Sequence, residues 1–181
     1  MEMQKIFVDK SIVLNPMGLD DAETIFDAIN NNRTFLRRWL PFVDATKSVQ
    51  DTRAFVKAIV DDAEWRQEVF TIGYHNEFAG LIGLKDIDYL NHKAEIGYWL
   101  VEKMTGKGIV TLSVEKLVSF CFSHMRMNRI CIKCAAGNIK SNKIPKRLGF
   151  TFEGIERAGE RYNNQYFDLD VFSILRKEWI Y

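Results

Sequence analysis

The chain has 181 residues, of which 47% are apolar and 27% charged, with a formal net charge of +1. Such a length predicts one domain, residues 1–181, with a core of real size. Near-zero charge argues against nucleic acid as a partner, no apolar run approaches a membrane span, and the start shows no signal-peptide pattern, so a cytoplasmic location and no membrane contact are expected.

In chain order, Ile6–Leu14 reads as a first strand. Asp20–Asn31 predicts an amphipathic helix that buries Ala22, Ile25, Phe26 and Ile29. Arg33–Leu40 predicts a short helix stopped by Pro41. Ser48 with Asp51 forms a capping-box pattern that opens a helix running to about Trp65. Val69–His75 and Phe78–Asp86 flank Asn76 and Glu77, which predicts a hairpin. Lys93–Val101 is apolar, aromatic and β-branched, as suits a half-buried strand. After Gly108 the period changes, and Val110, Val114, Leu117, Val118, Cys121 and Met125 form a helical stripe. Arg129–Ala135 predicts a strand, and Ser141–Leu148 a short helix with Gly149 as its C-cap. Phe150–Arg157 and Tyr166–Leu175 complete the strands around a turn at Asn163 and Asn164. Hairpins followed by a strand–helix–strand crossover predict a mixed α/β (α+β) fold. Its centre is a mostly antiparallel twisted sheet with flanking helices.

The segment between Lys103 and Gly108 carries the first functional signal. A glycine turn between strand and helix leaves free backbone N–H groups at the positive end of the helix, a site suited to phosphate. It is not a dinucleotide fingerprint, because Thr111 stands where the third glycine would be. Nor is it a Walker loop, because Lys107 is followed by Gly108 rather than Ser or Thr. A plain strand-to-helix turn is the other reading. Cys121, Cys131 and Cys134 lack a second pair for zinc and read as buried thiols, while His75, His92 and His124 lack ligand spacing, so no metal is expected.

A second segment adds Asn138, Ser141, Leu148, Gly149 and Phe150, and is followed by Glu153-Gly154 and a late Asp168. Together with Arg38-Trp39-Leu40-Pro41, Ala94–Trp99 and Gly106-Lys107-Gly108, this ordered set resembles the GNAT superfamily of acetyl-CoA-dependent N-acetyltransferases. Within it the chain looks most like the RimJ/RimL-like subgroup, which acetylates protein N-termini, notably of ribosomal proteins. The resemblance implies the GNAT fold, acetyl-CoA as acetyl donor, a protein N-terminus or a small amine as acceptor, and a homodimer as the oligomeric form to test. Tyr98, Trp99, Leu100 and Val101 would face the pantetheine arm; Thr105, Gly106, Lys107, Gly108, Ile109 and Val110 would wrap the pyrophosphate. Lys103 stands where many members carry Gln or Arg. Asn138 would bond the pantetheine amides, Ser141 would lie near the thioester sulfur, and Lys143 and Lys146 would meet the nucleotide. Pro145 is placed in the first turn of its helix, where proline is tolerated.

The chemistry requires a base for the attacking amine and a donor for the departing thiolate. Glu95 is the first candidate base and Glu160 the second; a salt-bridged glutamate is the other reading of Glu95. Ser141 is the candidate donor, with a helix N-cap as its other reading. Arg37, Arg38 and Trp39 would line the acceptor side, although Trp39 also suits a core and the arginines a solvated face. Lys140, Lys143, Lys146 and Arg147 form a basic cluster, read either as phosphate contacts or as a solvated helix face. The rival classes are a non-catalytic acetyl-CoA-binding module and, through that cluster, a nucleic-acid binder whose signature would be steep salt dependence.

Overall fold

In Arg129–Ala135 every second residue is buried: Ile130, Ile132 and Cys134 point inward while their neighbours are partly exposed. This period of two makes the segment a strand, and similar patterns build a sheet through the chain. The computed structural model describes residues 4–64, 66–162 and 164–180. Its strands are β1 (Ile6–Phe7), β2 (Ile12–Pro16), β3 (Glu68–Tyr74), β4 (Glu77–Asp88), β5 (Lys93–Leu100), β6 (Arg129–Ala135), β7 (Thr151–Tyr162) and β8 (Gln165–Leu175). Its α-helices are α1 (Ala22–Asn31), α2 (Arg33–Leu36), α3 (Phe42–Ala45), α4 (Val49–Val60), α5 (Ile109–Ser123) and α6 (Ile139–Arg147). The strands lie in the order β1-β2-β3-β4-β5-β6-β8-β7. Every neighbouring pair is antiparallel except β5 and β6, which α5 connects as a crossover.

Apolar residues fill both sides of the sheet. Val114, Leu117, Val118 and Cys121 of α5 pack with Ile72, Ile82, Ile96 and Ile130 in the larger core. Ile25, Ile29, Leu36, Val43 and Val56 form a second core with Leu81. No helix among the described residues is long and apolar enough to cross a membrane.

Several boundaries differ from expectation for local reasons. The first strand is two, because the Asp9 carboxylate accepts the amide hydrogens of Ser11 and Ile12, each at 2.7 Å, and turns the chain. Pro41 does not stop a helix; α2 ends at Leu36, and Pro41 precedes the separate turn α3. The Ser48–Asp51 capping box forms as read, but α4 ends at Val60, and the Asp62 carboxylate then takes the amides of Glu64, Arg66 and Gln67. Trp65 lies outside the described residues, as does Asn163 of the predicted final turn. The β3–β4 hairpin turns at His75 and Asn76, both with positive φ (48° and 65°), rather than at Asn76 and Glu77; this is the geometry of a two-residue turn with matching twist. Helix α5 stops before Met125, and α6 begins at Ile139, two residues before Ser141. Pro145 therefore stands in its last turn rather than its first. Gly149, with φ 77°, follows its end as expected.

Candidate active site

The site begins where two strands part. β5 pairs with β4 from Lys93 to Leu100, but with β6 only through Lys93, Ala94 and Glu95. β6 meanwhile stays paired with β8 as far as Ala135. Past Glu95 the two parallel strands diverge, so the β6-facing backbone groups of β5 lose their sheet partners and become available to a ligand. The gap widens into a cleft of about 640 Å³.

At one end of the cleft stands the N-terminus of α5. Gly108 precedes it with φ 79°, a left-handed conformation that glycine adopts without strain. The first intrahelical bond runs from Leu112 N to Gly108 O at 3.1 Å, so the amides of residues 109–111 precede the ladder. No acidic residue occupies that first turn. A Cβ built on Gly106 or Gly108 would meet no atom within 4 Å, so the loop is open towards the cleft. Arg147 reaches across from α6 and donates to Thr111 Oγ1 at 3.1 Å, and Lys140 and Lys143 join it on the wall. Free amides, a helix dipole and three cations suit the phosphates of coenzyme A.

Beside the middle of the cleft is the start of α6. The Asn138 carboxamide oxygen accepts the Ser141 amide hydrogen at 3.2 Å, so Asn138 is the N-cap. Ser141 is thereby freed from the capping role that was its other reading. Its hydroxyl donates to Tyr98 Oη at 3.1 Å and lies 3.2 Å from Cys134 Sγ. Burial pushes the Tyr98 hydroxyl well above the usual tyrosine range and raises the Cys134 thiol, so both keep their protons.

On the other side, Trp39 closes over the β6–α6 loop: a Cβ on Gly137 would lie 3.4 Å from its ring. Trp99 packs near Phe42 and Phe78, with ring centroids 6.5 and 6.0 Å away. Asp44 on α3 pairs with Arg37 and accepts the Tyr162 hydroxyl, tying α3 to the β7–β8 hairpin.

Of the residues picked from sequence, Arg38, Trp39, Tyr98, Trp99, Leu100, Thr105 and Gly106 line the cleft. So do Gly108, Ile109, Val110, Asn138, Ser141 and Lys143. Others do not. Val101 is buried and gives its amide hydrogen to Ala79 O at 2.9 Å. Lys103 pairs with Glu77 at 2.7 Å, Lys107 lies over the Tyr74 ring, and Lys146 lies over the Phe172 ring. Arg37 is held by Asp44. Leu40 and Thr111 also line the cleft, as do Phe35, Met104 and Gly137, which carried no sequence signal.

Glu95 is buried beside the point of divergence, with Lys85 Nζ at 2.8 Å and Lys133 Nζ at 3.8 Å. Lys133 also reaches Glu156 at 2.7 Å. Glu95 is thus an ion-paired carboxylate and is not part of the cleft wall. Glu160 is likewise not part of the cleft wall; it is half-buried and has no ion pair among the described residues. Burial raises its pKa, Lys85 opposes that rise, and the negative charge of Glu95 adds to it. No cluster of three metal-ligating side chains occurs among the described residues.

A family model described as an acetyltransferase (GNAT) domain matches residues 11–151. The ribosomal N-acetyltransferase candidate YdaF of Bacillus subtilis (strain 168) is 34% identical over 95% of this chain and 95% of its own. The ribosomal-protein-serine acetyltransferase of Escherichia coli (strain K12) is 29% identical over 94% of this chain and 96% of its own. Among solved structures, RimL, a ribosomal L7/L12 α-N-protein acetyltransferase in complex with coenzyme A through a cysteine disulfide, superimposes with a TM-score of 0.90. It is 26% identical, over 95% of this chain and 98% of that one. The microcin C7 self-immunity acetyltransferase MccE, in complex with acetyl-CoA and AMP, gives 0.88 at 30% identity over 93% and 94% of the two chains. The cleft with its cationic, amide-lined end, the sheet that splays to form it and these relatives agree: the chain belongs to the GNAT family and is an acetyl-CoA-dependent N-acetyltransferase.

Proposed function

We propose that this enzyme acetylates the α-amino group of a protein N-terminus, with a ribosomal protein as the first acceptor to try. The observation that carries the donor half is the parting of β5 from β6 beside Ser141, with the amides of α5 at one end of the same cleft. The acceptor half is supported by the names of the relatives, two of which refer to ribosomal substrates across nearly the whole chain. Space for an amine is also present. A Cβ on Gly97 would meet nothing within 4 Å, and Gly97 lies between Glu95 and Trp99 on the same face of β5.

The amine nitrogen attacks the thioester carbon, and the carbonyl oxygen takes up charge that an unpaired β5 amide is placed to receive. The carbon–sulfur bond then breaks, sulfur keeps the electron pair, and Ser141 Oγ–H donates a hydrogen bond to it. The nitrogen loses one proton to a carboxylate. We assign that task to Glu160 rather than Glu95. Glu95 is committed to two lysines, whereas Glu160 has raised proton affinity and no ion pair among the described residues. An α-amine, with a reference pKa of about 7.7–8.0, asks less of such a base than lysine at about 10.4. The same reading takes residues 1–181 as one catalytic domain acting in the cytoplasm.

One relative favours a small amine instead: the Escherichia coli (strain K12) spermidine N(1)-acetyltransferase, 26% identical over 86% of this chain. The test is a matched panel of ribosomal-protein N-terminal peptides, their N-terminally blocked forms and spermidine, with acetyl-CoA in each. Mass spectrometry should show one acetyl group on the free α-amine only. Preferred turnover of spermidine, or equal acetylation of the blocked peptides, rejects the α-amine proposal.

A further inference from the structure

Pro145 stands inside α6. Proline has no amide hydrogen, so the carbonyl four residues back, that of Ser141, has no helical donor. The structure supplies a substitute from another element: the Tyr98 hydroxyl of β5 donates to that carbonyl over 3.3 Å. This uses the only hydrogen the hydroxyl has. Its oxygen is left as an acceptor, and Ser141 Oγ donates to it over 3.1 Å. The 3.2 Å contact between Cys134 Sγ and Ser141 Oγ must then run from sulfur to oxygen. The result is a directed chain from Cys134 to Ser141 to Tyr98, ending on a carbonyl that Pro145 leaves open.

We propose that Tyr98 is a positioning residue for the Ser141 hydroxyl, and that Pro145 gives Tyr98 that role. The proposal rests on Ser141 as the donor to the leaving sulfur. The Ser119 and Ser123 hydroxyls of α5 turn back onto the carbonyls four residues earlier, whereas that of Ser141 does not. Tyr98 draws it the other way and holds it where the strands part. A thioester sulfur is a weak acceptor, so before reaction the Ser141 hydrogen rests on Tyr98. As the carbon–sulfur bond breaks, the sulfur gains the electron pair and becomes the stronger acceptor, and the hydrogen bond swings to it. No proton need leave the serine oxygen. An interaction made mainly in the transition state lowers the barrier without tightening ground-state binding. Burial keeps the Tyr98 hydroxyl protonated throughout, as the anchor on the Ser141 carbonyl requires.

The experiment combines Tyr98→Phe, Pro145→Ala and Ser141→Ala, reading kcat, KM for acetyl-CoA and Tm. Tyr98→Phe should lower kcat about tenfold, leave KM within about twofold, and lower Tm, because the Ser141 carbonyl loses its donor. Adding Pro145→Ala supplies a helical amide for that carbonyl and should restore Tm but not kcat. In the Ser141→Ala background, Tyr98→Phe should change kcat no further. Unchanged kcat in Tyr98→Phe overturns the proposal, as does an equal loss in both Ser141 backgrounds or a recovery of kcat together with Tm in the double variant. If Ser141→Ala itself leaves kcat unchanged, the assignment of Ser141 fails first, and the role of Tyr98 with it.

Discussion

Paired replacements of Glu95 and Glu160 by glutamine separate a structural carboxylate from a reactive one. The Glu95 side chain is only 9% exposed and faces two ammonium groups. Glutamine keeps its shape but removes the countercharge. Lys85, 54% exposed, regains water, and Lys133 keeps Glu156 at 2.7 Å. The loss should therefore fall below the ~3–5 kcal/mol of stranding a fully buried charge and above the ~0–1 kcal/mol of a surface pair. About 1–2 kcal/mol is expected, or a Tm lower by about 3–6 °C at this chain length. The charge of Glu95 also raises the proton affinity of Glu160, so its removal moves the acidic limb of the rate profile to lower pH. The neutral-pH rate should fall less than tenfold, through a weaker base. Glu160→Gln should act in the opposite way. Stability should hold or rise slightly, since a half-buried carboxylate disfavoured by burial disappears. The rate should fall about 10²-fold or more, with partial recovery as pH approaches the pKa of the amine itself. In the wild type, burial raises the Glu160 carboxyl, so the acidic limb of the rate should lie at higher pH than an ordinary glutamate would give. Urea titrations and rate–pH profiles of the three proteins decide the matter. A 10²-fold loss in Glu95→Gln beside a near-normal Glu160→Gln would return the base to Glu95.

Three further outcomes can be checked. Gly108→Val should cost about 1–2 kcal/mol through its left-handed backbone and weaken acetyl-CoA binding at least tenfold by calorimetry; a folded variant with unchanged affinity removes the loop from the phosphate site. The Arg129 guanidinium, helped by the Ser173 hydroxyl, holds the Glu153 carboxyl down to about 2, so this pair stabilises the fold above the ordinary glutamate range and loses its effect as pH falls towards that value. Because both groups are partly exposed, Glu153→Gln should cost only about 1 kcal/mol at neutral pH, with the two unfolding curves converging near pH 2, and parallel curves throughout would refute the linkage. Iodoacetamide should alkylate Cys134 only slowly at neutral pH and faster as pH rises, because burial raises its thiol pKa; rapid labelling of the Cys134 peptide at neutral pH by mass spectrometry would refute this.

What was legible in the sequence was whatever local rules govern. Glycines at a strand-to-helix turn marked the start of α5, and Ser48 with Asp51 marked the start of α4. The turn that splits the expected first strand also obeys a local rule, the Asp9 carboxylate accepting the amides two and three residues on. Other features depend on distant partners. Asn138 and Ser141 are both good N-caps three residues apart, and only the fold of the β6–α6 loop gives the role to Asn138. Lys103, Lys107 and Lys146 carry flexible stems, so their positions follow Glu77, Tyr74 and Phe172, which come from other elements. The cleft itself has no sequence period. β5 and β6 each read as ordinary strands, and nothing local in either says that they pair for three residues and then separate.

On the proposed mechanism, that separation lets one short strand serve both halves of the reaction. Side chains alternate along β5, so Ile96 and Tyr98 turn towards α5 and α6, while Glu95 and Trp99 turn towards Lys133 and Phe42. Were β6 paired with β5 throughout, the backbone between those faces would be closed and no group could pass from one side to the other. Because pairing ends at Glu95, the proposed mechanism has a thioester beside Ser141 on one face and an amine above Gly97 on the other meet at the exposed edge of β5. The arrangement depends on register. A slip of one residue would send Tyr98 towards Trp39 and α3, put Trp99 against Ser141, and carry Glu95 into the apolar core beneath α5. The long antiparallel pairing with β4, from Lys93 to Leu100, fixes that register on the side of β5 that the substrates do not use.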